Sequence, residues 1–306
     1  MPRLPGRKPP PEHWPLELYS PSGRNSRDFF VLGRNVQYDE AFAKTNPETY
    51  TSPTSYFTHV LHYTDHVKDK TYRVSDRLLD TWWSESRQLA YTAGFPRGVF
   101  EADLTGIREV VLEDHNGAFV GLWGTGENHI FACGFEPFVL YRRFGVWENV
   151  PLPQLTTEHL HDVHGASEDD VYFVGGRGTI LHFDGRVASV LETPTTLNLF
   201  SIQPLSGGYY CIGGVGGILL LGNRKGWRVV PTNVEEDLFS LAHFQGRVFY
   251  ATLQGLYAFD GRISPQLVLD IPLDAAEPLG DAMLLKHETN AWLFDGINLL
   301  PLDTLL

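Results

Sequence analysis

Short runs of alternating apolar and polar residues fill most of the chain, and turn residues separate one run from the next. The pattern is clearest in "HDVHGASEDDVYFVGGRGTILHFDGRVASVLETP", residues 161–194, where "ASED", "GGRG" and "DGR" divide the runs. Alternation with a period of two, interrupted by Gly and Asp turns, predicts β-strands joined by tight hairpins. The segment therefore predicts four strands, here called A to D, near Leu160–Gly165, Asp170–Val174, Thr179–Phe183 and Ala188–Glu192.

The same order of strands and turns recurs along the chain. One residue near the end of strand B marks the register of the copies, which follow one another at intervals of 34 to 41 residues. A further copy, "DFFVLG", ends at Gly33, which lies 61 residues before the next marker, so the first copy carries an insertion. The residues that mark strand B in the other six copies are Gly94, Gly134, Gly175, Gly213, Thr252 and Lys286, so the chain contains seven copies.

A regular β repeat of about 39 residues is what a propeller blade requires, because each four-stranded sheet buries its faces against its neighbours. We therefore predict an all-β fold, a β-propeller of about seven four-stranded blades spanning residues 14–306. Residues 1–13 form a Pro-rich arm, and the first-blade insertion covers about 34–56. Residues 14–20 are expected to supply strand A of the first blade, whereas the last blade shows no clear strand A.

The fourth copy resembles the blade motif of a bacterial group of kelch- and WD-like propellers. The residues that carry the resemblance are "DVYFVGGRGTILHFDG", residues 170–185. The Gly-His and Trp-Asp signatures of standard WD40 repeats are absent from the sequence. The resemblance implies the propeller fold and little about function, since propellers host binding, structural and catalytic roles alike.

Charge and cysteine content restrict the classes of partner. The net charge of −13 disfavours nucleic acid, which needs a basic surface, and favours a basic partner. Cys133 and Cys211 lie in apolar strand-B segments and are interpreted as small buried residues without a disulfide. No secretory leader or membrane-spanning stretch is apparent, so we expect a cytoplasmic protein that does not act at a membrane.

Few residues suggest catalysis or cofactor binding. His159, His161 and His164 form the one cluster with metal-ligand chemistry, and it is a weak alternative because the other blades lack matching ligands. The glycine runs "VGGRG" and "IGGVGG" precede strands rather than helices, so they are interpreted as turns between strands B and C and not as phosphate loops. Asp184, Asp260 and Asp295 recur in "FDG" and are interpreted as hairpin residues. We expect no cofactor and no resident metal.

Aromatic and charged residues in predicted loops indicate a binding face. In a propeller the B–C and D–A loops emerge on one side, here called the loop face, and large aromatic residues with Arg are enriched at protein interfaces. The insertion emerges on this face too, where it acts either as a lid or as a docking arm. The residues predicted to bind a partner are Phe95, Arg97, Phe135, Glu136, Arg177, Gln254, Tyr38, Phe42, Glu235 and Asp237.

These observations favour a non-catalytic protein-binding propeller, monomeric when free. The most concrete version is an intracellular inhibitor of the immunity type that caps a basic toxin or enzyme with its acidic, aromatic-bearing loop face. One alternative is a propeller enzyme of the lactonase, lyase or hydrolase kind that uses the channel histidines. The other alternative is an assembly scaffold.

Overall fold

The computed structural model describes residues 15–35, 58–95, 98–110, 112, 117–135, 137–153 and 159–305. Across these residues 28 strands form seven four-stranded antiparallel sheets, and each sheet is built from four consecutive strands. The first strand of every sheet contacts the first strands of the two neighbouring sheets, so these strands surround a central axis. The predicted all-β, seven-bladed propeller is thereby confirmed.

The strands of each blade follow the predicted order A, B, C, D. Blade 1 contains β1 Glu17–Asn25, β2 Asp28–Arg34, β3 Thr58–Thr64 and β4 Val67–Val74, and blade 2 contains β5 Arg77–Ser84, β6 Leu89–Phe95, β7 Gly98–Asp103 and β8 Gly106–Val110. Blade 3 contains β9 Ala118–Gly126, β10 His129–Phe135, β11 Val139–Arg143 and β12 Val146–Asn149, and blade 4 contains β13 Leu160–Ser167, β14 Asp170–Gly175, β15 Ile180–Phe183 and β16 Ala188–Val190. Blade 5 contains β17 Leu199–Leu205, β18 Tyr209–Gly214, β19 Leu219–Asn223 and β20 Gly226–Val230. Blade 6 contains β21 Leu241–Phe244, β22 Arg247–Thr252, β23 Gly255–Phe259 and β24 Gln266–Leu269, and blade 7 contains β25 Ala275–Leu279, β26 Ala282–His287, β27 Asn290–Phe294 and β28 Leu299–Pro301.

The hydrophobic core is divided among the junctions between blades. Within the described residues each of seven buried clusters combines apolar side chains from two adjacent blades. Between blades 3 and 4, for example, Phe131 packs edge to face with Phe173 and Phe183. Because each sheet buries its faces only against its neighbours, no blade has a core of its own.

The ring closes between blade 7 and blade 1 by packing and by contacts between the two ends of the described chain. Leu279, Leu284 and Leu293 pack against Phe29 and Val31 of the first blade in one buried cluster. The Leu16 N–H donates to the Thr304 carbonyl at 2.9 Å, and Pro15 forms an isolated bridge with Leu305. No strand is exchanged between blades 1 and 7, since each contains its own four consecutive strands within the described chain.

Strand A of the last blade is β25, "AAEPL", which the sequence pattern does not reveal. Glu277 and Pro278 interrupt the apolar alternation of this strand, which nevertheless pairs in regular register with β26 from Ala275 to Leu279. Strand A of the first blade, predicted within residues 14–20, begins at Glu17 and continues to Asn25. The two cysteines are free and buried on strands B of blades 3 and 5, as predicted.

The glycine at the end of strand B has a steric cause in blades 2 to 5. Strand A of each of these blades begins with a bulge that brings a carbonyl against the glycine. A Cβ on Gly134 would lie 1.9 Å from the Ala118 carbonyl oxygen, and one on Gly175 would lie 2.1 Å from that of His159. In blade 5 the residue at this position is Gly214, one residue after the marker predicted from sequence, because two adjacent glycines fit the pattern equally well.

The predicted turn residues occupy turns. In the C–D turns of blades 4, 6 and 7, Asp Oδ1 accepts hydrogen bonds from backbone N–H groups two and three residues later. "GRG" and "VGG" form short 3₁₀ turns at Gly176–Gly178 and Val215–Gly217 between strands B and C. Among the described residues no helix has the length and apolarity needed to cross a membrane.

Candidate functional site

The loop face carries those predicted binding residues that the structure describes. Phe95 and Phe135 end strands B of blades 2 and 3, Arg177 lies in the B–C turn of blade 4, and Gln254 lies in that of blade 6. Phe95 is half-buried, whereas Phe135, Arg177 and Gln254 are exposed. These residues come from different blades and share one side of the ring because every strand B ends there.

The remaining predicted binding residues divide into two groups. Glu235 and Asp237 lie in the D–A loop between β20 and β21 on the loop face, where Glu235 is exposed and Asp237 is half-buried. Four predicted residues lie outside the described part of the chain, and two of them belong to the first-blade insertion. These four are Arg97, Glu136, Tyr38 and Phe42.

Two acidic residues of the loop face hold its turns in place. Asp237 Oδ1 accepts the Gly216 N–H at 2.8 Å, and Glu236 Oε2 accepts the Leu253 N–H at 2.7 Å. Asn198 serves the same purpose one blade earlier, since its Oδ1 accepts the Arg177 N–H at 3.0 Å. Carboxylates bound to backbone N–H groups are oriented by the fold, so Glu236 and Asp237 support the loop face structurally as well as contributing negative charge.

Aromatic rings from blades 3 to 6 lie on the loop face in two contact groups. The Phe135 and His159 rings meet edge to face at 4.8 Å, the His161 and Phe200 centroids are 5.5 Å apart, and Phe200 stacks on Phe239 at 5.0 Å. Phe239 is 62% exposed and Phe135 is 38% exposed. We call these five residues the aromatic arc. Three of its members, His161, Phe200 and Phe239, stand at the mouth of the central channel.

The histidine cluster does not act as one unit. His159 contacts Phe135 of blade 3, whereas the His161 Nδ1 donates to the Leu199 carbonyl of blade 5 at 2.7 Å. His164 packs on Trp123, and burial lowers its pKa to about 4. A bulge at His161 disrupts the alternation that would place His159 and His161 on one side of the strand. Among the described residues no group of three His, Cys, Asp or Glu side chains is arranged to hold a metal ion.

The central channel encloses a cavity of about 470 Å³, lined by the first strands of the blades. At six of the seven blade junctions, a polar side chain on one of these strands accepts a backbone N–H of the adjacent blade. Asp80 Oδ2 accepts the Leu122 N–H at 2.7 Å, and Asp162 Oδ2 accepts the Ile202 N–H at 2.8 Å. Ser20, Ser201 and Ser240 accept the N–H groups of Thr81, Leu241 and Ala276 in the same way, and Glu277 accepts that of Ser20.

Three of these channel residues are acids whose ionisation the fold makes unfavourable. Burial, together with the nearby charge of Asp162, raises the pKa of Asp80 to about 7. Burial also raises the pKa of Asp162 to about 6 and that of Glu277 to about 7. Such shifts at a cavity identify candidate functional groups, although structural networks also produce them.

Sequence reasoning missed the channel acids and two members of the aromatic arc, Phe200 and Phe239, and it considered His159 and His161 as metal ligands rather than as interface residues. A signal was present at or just before the start of strand A, which reads "LLD" at 78–80, "LHD" at 160–162 and "LFS" at both 199–201 and 238–240. The middle residue of each triplet faces the channel mouth, and the third residue forms the bond to the next blade. Apolar residues at the first position make the triplet look like ordinary strand, so the pattern is visible only once the blades are aligned in space.

The fold and this site define a seven-bladed β-propeller, an architecture that suits protein binding, and its structural neighbours are of WD40 type. The structure of U3-55K has a TM-score of 0.64 at 11% identity, covering 89% of this chain and 90% of that one. The WD40 repeats of RRP9 also give 0.64 at 11% identity, covering 93% and 98%. The structure titled YCF48 bound to D1 peptide gives 0.57 at 14% identity, covering 73% and 80%. At these identities the likeness concerns the fold alone.

One curated protein is similar in sequence. The Immune protein Tsi7 of Pseudomonas aeruginosa is 30% identical over 140 residues, which cover 43% of this chain and 45% of that protein. The match therefore spans less than half the length of either protein. No family model matches the chain, so the resemblance to kelch-like repeats stays a prediction.

Proposed function

We propose that this propeller is a non-catalytic binding protein of the immunity type, which caps a basic toxin or enzyme with its loop face in the cytoplasm. The aromatic arc is the observation that carries the proposal. It contains rings from four consecutive blades in two contact groups, Phe135 with His159 and His161 with Phe200 and Phe239. Its exposed members Phe135 and Phe239 are the kind of side chain that anchors protein interfaces. The similarity to the Immune protein Tsi7 supports the immunity version of this role.

The opposite face offers a weaker candidate surface. Its exposed apolar side chains are spread over the C–D hairpins of different blades, as Phe144 and Val146 are in blade 3 and Ile297 in blade 7. Scattered apolar residues are ordinary on protein surfaces, whereas contiguous ones mark interaction sites. The loop face is therefore the better docking surface.

Charge favours a basic partner. The chain carries 37 acidic residues against 24 Lys and Arg, so its field attracts a positively charged protein over a distance and raises the rate of association. Glu235 and Asp237 on the loop face add negative charge close to the aromatic arc. An inhibitor that works by covering another protein requires no chemistry of its own, only a rigid surface, and we expect it to be monomeric when free.

The test uses the basic toxin that is neutralised when the two proteins are co-expressed. Phe239→Ala and Phe135→Ala should each weaken binding of the purified toxin by about tenfold or more, because truncating a central aromatic anchor removes most of its contact area. Arg177→Ala should weaken it as well, because it removes the contacts of an exposed arginine and adds no charge that would attract a basic partner. Cell survival on co-expression and calorimetric titration give independent measurements of the same effect.

Phe144→Ala is the matched control, because it removes a phenylalanine that is 79% exposed on the opposite face. It should leave the affinity within about twofold of the parent. The opposite outcome, in which Phe144→Ala abolishes protection while the three loop-face variants protect fully, would place the interface on the other side of the ring. If no basic protein is neutralised, the immunity role is wrong.

A further inference from the structure

The central channel combines negative charge with aromatic walls. The described residues that line its cavity include the carboxylates of Asp80, Asp162 and Glu277 and no lysine or arginine. Trp82, Trp83 and Trp123 line the same cavity, and Phe200 stands at its mouth. Carboxylates provide charge and hydrogen-bond acceptors, while the faces of indole and phenyl rings attract cations.

Two nearly buried polar side chains line the cavity. Gln203 is 9% exposed and borders the cavity, so its carboxamide can contact a ligand there. Ser22 is 8% exposed and borders the cavity too, and its Oγ is buried without a hydrogen-bond partner among the described residues. Buried polar groups in native proteins are nearly always satisfied, so the unpaired Ser22 hydroxyl indicates a ligand that supplies the missing contact.

We propose that the central channel is a binding site for an organic cation, an alkylammonium or guanidinium group that enters from the loop face. Such groups donate three to five hydrogen bonds and accept none, which matches a cavity rich in acceptors. The Gln203 amide oxygen and the three carboxylates receive these bonds, and the tryptophan faces cover the aliphatic stem. The cavity of about 470 Å³ is within the usual size range for small-ligand sites.

Proton release is expected to accompany binding. Burial holds the pKa values of Asp80 and Glu277 near 7, so a fraction of these carboxyl groups is protonated at neutral pH. A cation beside them stabilises the ionised form and lowers their pKa values. The heat of binding should therefore depend on the ionisation enthalpy of the buffer, which a neutral ligand or non-specific adsorption would not produce.

The experiment titrates agmatine and putrescine into the purified full-length chain by isothermal calorimetry. One saturable site with a dissociation constant below about 1 mM is expected, and 1,4-butanediol, the uncharged counterpart of putrescine, should not bind. Glu277→Gln keeps an oxygen to accept the Ser20 N–H but removes a charge, so it should weaken binding about tenfold. Gln203→Leu should weaken binding too, and Gln266→Leu, on the outer strand β24, should not.

The NMR signals of the tryptophan indole groups show where the amine binds. The signals of Trp82, Trp83 and Trp123 should shift on titration, while those of Trp147, Trp227 and Trp292, which lie outside the channel lining, should not. The proposal is overturned if the parent shows no saturable binding up to about 10 mM, if folded Glu277→Gln and Gln203→Leu both bind as the parent does, or if the shifts fall only on the second set.

The cation has two possible sources, a free small amine or a Lys or Arg side chain of a bound protein, and only the second rests on the proposed function. Competition separates them. If saturating agmatine displaces the toxin, the channel receives a side chain of that partner; if the complex forms equally well, the natural ligand is a small amine. Failure to find any toxin leaves the titration of the free chain unaffected.

Discussion

At the scale of single residues, two aspartates show how burial changes the pKa of a carboxyl group. An Asp on a surface turn, such as Asp184, accepts backbone N–H bonds, and these lower its pKa. Asp80 accepts backbone N–H bonds as well, yet its pKa rises because burial and the charge of Asp162 outweigh them. The two aspartates therefore contribute to stability with opposite signs as the pH changes.

Asp80→Asn tests this difference through the pH dependence of unfolding. The folded pKa of Asp80, about 7, exceeds the ordinary value of 3.8 for an aspartate. The folded protein therefore holds a proton that the unfolded chain releases, and stability falls as the pH rises between these values. Asparagine does not ionise, so the Asp80→Asn variant lacks this fall in stability. Its free energy of unfolding relative to the parent should therefore rise by about 2 kcal/mol between about pH 5 and pH 8 in chemical denaturation.

Asp184→Asn is the control. Its folded pKa is lowered, so the stability it contributes is present above its unfolded pKa and is lost only as the pH falls below about 4. The difference in free energy of unfolding between Asp184→Asn and the parent should stay constant between about pH 5 and pH 8. An equally flat difference for Asp80→Asn would contradict a raised pKa for that group.

At the scale of strands and turns, some features of the repeat recur in most blades, whereas the bulge in strand A occurs in only some of them. Hairpins and strand order follow from local pattern in most copies, and Asp-Gly turns follow from it in blades 4, 6 and 7. The bulge at the start of strand A is specific to blades 2 to 5, and the glycine facing it leaves room for a carbonyl. Blade 6 shows no register shift between strands A and B, and Thr252 ends its strand B.

Gly175→Ala should destabilise the protein by at least about 2 kcal/mol, because the new Cβ would lie 2.1 Å from the His159 carbonyl oxygen and the bulge would have to move. Gly126→Ala is the matched control, since no atom lies within 4 Å of a Cβ built there. Its stability should stay within about 0.5 kcal/mol of the parent. Thermal and urea unfolding of both variants measure the contrast, and equal losses would refute the steric explanation.

At the scale of the whole molecule, the ring depends on the junction between blades 7 and 1 as much as on any other. That junction is packed like the other six, with Leu284 fully buried, and it is reinforced by the bond between Leu16 and Thr304. A repeat protein whose units lack separate cores unfolds through its interfaces. Opening one junction therefore exposes the faces of two blades.

Leu284→Ala should lower the free energy of unfolding by about 2–5 kcal/mol, the usual range for a buried leucine, and unfolding should remain a single transition. Leu300→Ala, a change at a half-exposed residue of β28 in the same blade, should cost less than about 1 kcal/mol. Denaturant titrations followed by tryptophan fluorescence and circular dichroism test both points. A separate early transition in Leu284→Ala would show that the closing blade unfolds independently of the ring.

The sequence by itself determined the repeat, and through it the blade count, the strand order and the turn chemistry, because these depend on residues close together in the chain. It also placed Phe135 and Arg177 on the loop face, since every strand B ends on that side. Only the tertiary structure decided which residues meet across blades. The Phe200–Phe239 stack and the bond from Asp162 to Ile202 join residues about forty positions apart, and whether they touch depends on the bulges and the rotation between blades. The channel acids and the separation of the three histidines follow from that arrangement, which no local pattern encodes.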